Sequence, residues 1–195
     1  MPPSNIVGQR IKSLREKRQM SIEDLAGAIP GILSENIDLI GNLEAGDLVP
    51  SLTPLLQIAR ALGVRLGSFL DDQASQDPVV TRGGIGDGAA SFVGSNLGKK
   101  RAELGFHSLA ANKSDRHMEP FLIDVKPHGG EIVLSTHEGE EFIHVLSGEV
   151  EITYGKDSYR LSPGDCIYYD SIVPHHLHAA GVESAKILAV VYAPF

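Results

Sequence analysis

The sequence predicts an α+β chain in two domains, an all-α bundle of four or five helices followed by an all-β sandwich or barrel. Three observations carry that prediction. Apolar residues recur at helical spacing through the first seventy positions, glycines crowd positions 83 to 98, and beyond them short, partly alternating apolar runs are broken by regular turn signals. The expected boundaries are 1–72 for the helices, 73–102 for a Gly-rich linker holding one strand-like run, and 103–195 for the strands.

The first helix rests on Ile6, Val7, Ile11 and Leu14, with Arg10, Lys12, Arg15, Lys17 and Arg18 on its other faces. Ser21 is the expected N-cap of the second, with Asp24 three residues on as an acidic capping box and Leu25, Ala26 and Ile29 on its apolar side. Pro30 and Gly31 stop it. A third helix is expected from an Asn36 N-cap to Glu44 through Ile37, Ile40 and Leu43, ended by Gly46. Pro50 and Ser51 restart the chain into a stripe of Leu52, Leu55, Leu56, Ala59 and Leu62, closing near Phe69 and Leu70. In the linker the strand-like run is VVTR at 79–82. The expected strands lie in FHSLAA, EPFLIDV, EIVLS, EFIHVLSG, EVEITYG, DSYRLS, DCIYYD, HHLHAA and AKILAVVY.

Charge and composition narrow the function. Among 195 residues, 17 Lys+Arg stand against 25 Asp+Glu, a formal charge of −8, which argues against a generally basic nucleic-acid coat protein. Residues 1–70 hold seven of each sign, so the excess acidity lies wholly in the second half. No run approaches the ~20 apolar residues of a membrane span, and the first residues lack a signal-peptide layout, so a cytoplasmic protein with no membrane partner is expected. The single cysteine, Cys166, allows neither an intrachain disulfide nor a cysteine-cluster zinc site, and buried packing is its expected role. All eight histidines lie between His107 and His178.

Two short helices around a tight turn, closed by two more, are the layout of a helix-turn-helix unit. The strings VGQRIKSLREKRQMSIEDLA, LEAG at 43–46 and PSLTPLLQIARALGV at 50–64 resemble the repressor-like (Cro/C1, or XRE-type) helix-turn-helix regulators over residues 6–70. The segment IPGILSEN is about four residues longer than that family's usual turn. The resemblance implies double-stranded operator DNA as a partner. Asp38, Gly41 and Asn42 would then face the major groove, with phosphate contacts from Gln9, Arg10, Arg15, Lys17, Arg18 and Ser21. The third helix carries no Lys or Arg.

In the second half, STHEGEEFIHVLSG and SPGDCIYYDSIVPHHLHAAG resemble the two cupin motifs, which implies a double-stranded β-barrel over roughly residues 103–195. Where cupins usually carry their first histidine this chain has Ser135, leaving His137, Glu141 and His175. An even spacing lets His137 and Glu141 face one side of a strand. Such a 2-His-1-carboxylate set suits Fe(II) and accepts Zn(II), Mn(II) or Ni(II), and the alternative is a metal-free small-molecule pocket. His144 and His176 are expected to face outward, and His178 is ambiguous. Met118, Phe121, Tyr154 and Tyr168 could line the barrel mouth or pack in the core.

Joined, the halves resemble regulators that fuse a repressor-like head to a cupin sensor. That implies a homodimeric, non-enzymatic transcription regulator whose barrel binds a small-molecule effector, with the linker letting the heads move. The alternative is a mononuclear metal-dependent cupin enzyme with a vestigial helix-turn-helix domain. Iron epoxidases acting on hydroxypropylphosphonate share the plan and the His, Glu, His set, but the lysine and tyrosine that hold their substrate fall on Gln19 and Phe106 here, so that particular reaction is not expected.

Overall fold

The computed structural model describes residues 4–48, 52–70, 78–83, 91–93, 104–113, 116–127 and 132–194. Among these residues five helices come first: α1 (Ser4–Lys17), α2 (Ile22–Gly27), α3 (Leu33–Ala45), α4 (Leu52–Ala61) and α5 (Gly67–Leu70). Their apolar stripes meet in one core of Val7, Ile11, Leu25, Ile40, Leu55 and Phe69. The α1 and α3 backbones approach so closely at Gly8 that a Cβ there would sit 1.9 Å from the Leu43 carbonyl oxygen, which is why a helix-disfavouring glycine stands in the middle of α1.

The capping box expected at Ser21 forms: its hydroxyl accepts from the Asp24 N–H, and the Asp24 carboxylate accepts from the Ser21 N–H at 2.8 Å. The start of α3 differs from expectation. The helix begins four residues earlier, with Ile32 in the N-cap position, so Asn36 lies inside it, 8% exposed, and donates to the Ala26 and Ile29 carbonyls at 3.2 and 3.0 Å. Asn36 therefore satisfies the open carbonyl end of α2 rather than the N–H end of α3, a tertiary role that local capping rules do not anticipate.

Among the described residues nine strands follow: β1 (Ser91–Val93), β2 (Leu104–Ser108), β3 (Met118–Val125), β4 (Glu140–Ser147), β5 (Val150–Tyr154), β6 (Asp157–Leu161), β7 (Cys166–Asp170), β8 (His175–Ala179) and β9 (Ala185–Tyr192). Within the linker, residues 78–83 contain no strand, and the strand falls at β1 instead; the remainder of 73–102 lies outside the described residues. The expected strand in EIVLS is absent from its described part, where Ser135 makes only an isolated bridge to His175.

The expectation of a closed double-stranded barrel is corrected. Among the described residues the strands form a six-stranded sheet, β1-β2-β3-β9-β4-β7, and a separate three-stranded sheet, β6-β5-β8. Among the described residues the isolated bridges Pro127 to Ala179 and Ser135 to His175 tie flanking segments to β8, and no continuous hydrogen-bonded ladder joins the two sheets. The inward residues Phe121, Ile123, Val125, Ile143, Val145, Ile152, Ile187 and Val191 bury the space between. What remains supported is a two-part α+β architecture of N-terminal helices and a cupin-like pair of sheets.

The helices are docked on the sheets rather than held away on a mobile tether. The Gly67 N–H donates to Glu119 Oε1 at 3.2 Å, Arg65 donates to the Arg116 carbonyl at 2.8 Å, and Arg116 and Glu119 form a buried ion pair at 2.7 Å beneath them. Arg60 of α4 pairs with Glu138 of the segment before β4. Among the described residues no helix is long and apolar enough to cross a membrane.

Candidate metal centre

His137, Glu141 and His175 come together between the two sheets, one ligand atom from each lying within 4.8 Å of the others. Three different local structures deliver them. Glu141 points inward from β4, whose alternation also buries Ile143 and Val145. His175 opens β8. His137 lies before β4 in a bend, so strand alternation does not account for its direction. Gly139 does: its φ of +107° and its approach to the Tyr192 carbonyl, 1.9 Å from where a Cβ would stand, fold the segment back so that residues 137 and 141 face the same point.

The hydrogen bonds fix which nitrogens are available. His137 Nδ1 lies 3.1 Å from the Glu138 carbonyl and His175 Nδ1 lies 2.9 Å from the Val173 carbonyl, so in both rings Nδ1–H donates outward and Nε2 is the nitrogen turned to the centre, where a bound metal would take its lone pair. Those Nε2 atoms are 2.8 and 3.4 Å from Glu141 Oε1. The Tyr169 hydroxyl donates to Glu141 Oε2 at 2.8 Å and the Ser171 hydroxyl to Oε1 at 3.2 Å. Burial pushes the Glu141 carboxyl up, but hydrogen bonds and charge from His137 and His175 outweigh it and hold the group well below the usual carboxylate range. Burial first, and then the Glu141 charge and hydrogen bond, push the Tyr169 phenol well above its ordinary value, so it stays a donor. Two imidazole lone pairs and one ionised carboxylate, each oriented by a second partner, are a site for a divalent metal ion. Fe(II) fits this donor set, as do Zn(II), Mn(II) and Ni(II).

A cavity of about 90 Å³ faces the centre. Leu104, Phe106, Ile123, Ile143, Ile187 and Val191 line it from the large sheet, and Leu52 and Thr53 close it from the first turn of α4. Behind His137 a wider groove of about 550 Å³ runs between the helices and residues 136–138, with Arg60 and Glu138 on its rim.

The remaining expected site residues are scattered. Phe121 is fully buried and packs edge-on against Phe106. Tyr154 packs on Tyr169 with ring centroids 5.3 Å apart and donates to the Asp170 carbonyl. Met118 and Tyr168 are 64% and 62% exposed, and Tyr168 bonds Glu140 outside the cavity. Tyr169, one residue on, is the tyrosine that reaches the centre. Its signal was available: β7 pairs antiparallel with β4, Glu141 opposite Tyr169, and Ile167 keeps the same phase. His144 shares the outward face of β4, whereas His176 is buried at 6% and stacks near His178. Cys166 is exposed rather than packed, because it occupies the outward phase of β7.

In the helical half, Arg15 gives Nε and Nη2 to Glu44 at 2.6 Å and Nη1 to the Met20 carbonyl, and Arg10 donates to the Phe69 carbonyl. Arg18 donates to the Leu14 carbonyl, Ser21 is the cap of α2, and Gln9, Lys17 and Asp38 are exposed, with Gly41 and Asn42 half-buried.

Comparison with known proteins agrees with the centre and not with a DNA-binding role. The family model described as Cupin domain matches residues 121–191. The chain is 28% identical over 199 residues to (S)-2-hydroxypropylphosphonic acid epoxidase of Streptomyces wedmorensis, covering 92% of both proteins. A crystal structure of iron(II) HppE in complex with substrate is 25% identical, covers 97% of this chain and 99% of that one, and superposes with a TM-score of 0.51. An HTH_3 family transcriptional regulator from Vibrio cholerae superposes with a TM-score of 0.62 over 99% of this chain at 22% identity, a likeness of fold alone. The reading as an XRE-type regulator, non-enzymatic and partnered by operator DNA, is therefore corrected. The likeness to the epoxidase runs through the helical half as well as the sheets, so a helix-turn-helix layout here is no mark of transcription regulation.

Proposed function

We propose that this protein is a mononuclear, divalent-metal-dependent enzyme of the oxygenase or epoxidase kind acting on a small molecule, and that His137, Glu141 and His175 hold the metal. The observation that carries the reading is the convergence of two oriented Nε2 lone pairs and one carboxylate oxygen within 4.8 Å, at the edge of a cavity. A bound iron(II) would supply one-electron chemistry with dioxygen at the coordination positions the protein leaves open. The chain's own residues do the rest. Glu138 and Val173 carbonyls keep the two imidazoles in the ligating tautomer, Tyr169 and Ser171 hold Glu141, and the apolar walls exclude water from the reacting space. The whole-length likeness to an epoxidase supports the reaction class. A cytoplasmic setting belongs to the same reading, since the exposed Cys166 thiol stays reduced there.

The test is anaerobic loading with Fe(II), metal analysis and oxygen-electrode measurement with a reductant. One equivalent of iron and iron-dependent oxygen uptake are expected, both lost in His175→Ala. A wild-type protein that binds no stoichiometric metal would overturn the reading.

A further inference from the structure

We propose that the metal-facing cavity selects a small uncharged molecule, with one oxygen for the metal and a compact hydrocarbon body for the apolar part of the lining. This rests on the metal-enzyme reading above and names the substrate class of that site.

Most of the lining is apolar, and its polar residues gather at the metal cluster, with Thr53 and His176 the others. Ser135, His137, Glu141, Tyr169 and His175 form the metal end, and from Val191, directly beside Glu141, the large sheet continues as hydrocarbon through Ala189, Ile187, Ile123, Phe106 and Leu104. The hydrogen-bonding groups of the metal side are engaged within the protein: the Ser135 hydroxyl donates to the His175 carbonyl at 3.1 Å, the Tyr169 phenol donates to Glu141, and both Nδ1–H groups donate to backbone carbonyls. What this cluster offers an incoming molecule is therefore the metal, with Thr53 and His176 the remaining polar residues of the lining. Among the described residues no Lys or Arg lines the cavity, so a phosphonate dianion with one oxygen on the metal would have its second charge buried against hydrocarbon, which is strongly disfavoured. Size points the same way. An apolar protein cavity of ~150 Å³ holds benzene, so by proportion the roughly 90 Å³ here fits about four non-hydrogen atoms. Leu52 and Thr53 set that limit from α4, and Ala189, directly opposite Ile143 in the β4 and β9 pairing, is the small residue in the wall.

The experiment uses the full-length protein loaded with Co(II), whose visible absorption bands report what enters the metal's open positions. The probes are ethanol, 1-propanol, 1-butanol and 1-hexanol, with (S)-2-hydroxypropylphosphonate and inorganic phosphate as the anionic arm. The expected result is a band shift with 1-propanol and 1-butanol at concentrations about tenfold or more below those needed for 1-hexanol or for either anion. Ala189→Leu should weaken the 1-butanol response by about tenfold. Ile187→Val should move the preference toward the longer alcohol, which keeps the test intact if the first substitution disturbs folding. Tighter response to the phosphonate than to every alcohol overturns the proposal, as does one chain-length ranking shared by wild type and Ile187→Val. Metal analysis is a separate readout: absence of one equivalent of Co(II), or its retention in Glu141→Ala, overturns the metal-centre reading itself and this proposal with it.

Discussion

Arg15 with Glu44 in the helical half, and His137 with Glu141 and His175 in the sheet half, are both buried polar clusters, yet their hydrogen-bond accounting differs. Arg15 brings only donors and Glu44 only acceptors, and the guanidinium is consumed by two carboxylate oxygens and the Met20 carbonyl. The sheet cluster gathers acceptors. With Nδ1–H spent on carbonyls, both Nε2 atoms converge with a carboxylate oxygen on one point, and a cation bound there would take all three as ligands. A buried cluster whose donors and acceptors cancel holds a fold together, whereas one with surplus acceptors binds something.

Substitutions can break each side of that contrast. The largest effect is expected for Glu141→Gln, which removes the anionic ligand: metal affinity should fall by more than the 10- to 100-fold typical of losing an outer partner, read by competition with a chromophoric chelator. Arg15→Ala strands the Glu44 charge and should lower unfolding free energy by about 3–5 kcal/mol in chemical denaturation, while the metal-binding constant of the folded protein stays unchanged. If that constant also fell, the two clusters would not be independent. Tyr169→Phe should weaken metal binding by about 10- to 100-fold without abolishing it. It should also delete the last tyrosine to ionise in an ultraviolet pH titration. Because burial and Glu141 keep the Tyr169 phenol protonated in the folded state, the native protein holds this proton where the unfolded chain has lost it, so stability falls as pH rises past the ordinary phenol value and falls less in Tyr169→Phe. The smallest effect belongs to Arg60→Ala. Its partner Glu138 is half-exposed, so stability should change by less than about 1 kcal/mol, measured by the denaturation midpoint.

The cluster of His137, Glu141 and His175 that could hold a metal was legible in the sequence because residue type and spacing carry that chemistry directly. The geometry behind them was less so. His137 reaches the centre through the positive φ of Gly139 rather than through strand alternation, and the tyrosine that holds Glu141 is Tyr169 and not Tyr168, a difference settled by the β4 and β7 register. The helices were legible for the same local reasons, capping at Ser21 and the α4 stripe above all. What they are for was not. Periodicity shows that a helix has an apolar face and says nothing about whether its end abuts a nucleic acid or a cavity. Asn36 shows the same limit: asparagine before an apolar run reads as a helix start, and only the packing of α2 against α3 turns it into a cap for the preceding helix. That the two sheets stay separate was equally non-local, since the pairing around Pro127 and Ser135 is limited to isolated bridges and no run of residues announces this.

The first turn of α4 has a practical consequence for dissecting this molecule. Leu52 and Thr53 are part of the vessel in which the chemistry is proposed to occur, and Glu119 beneath α5 is a buried carboxylate whose partners include the Gly67 N–H. Cutting the chain between helices and sheets would not yield a smaller catalyst. It would leave an unlidded hydrocarbon chamber and a newly wetted ion pair, a fragment expected to aggregate before it could be assayed.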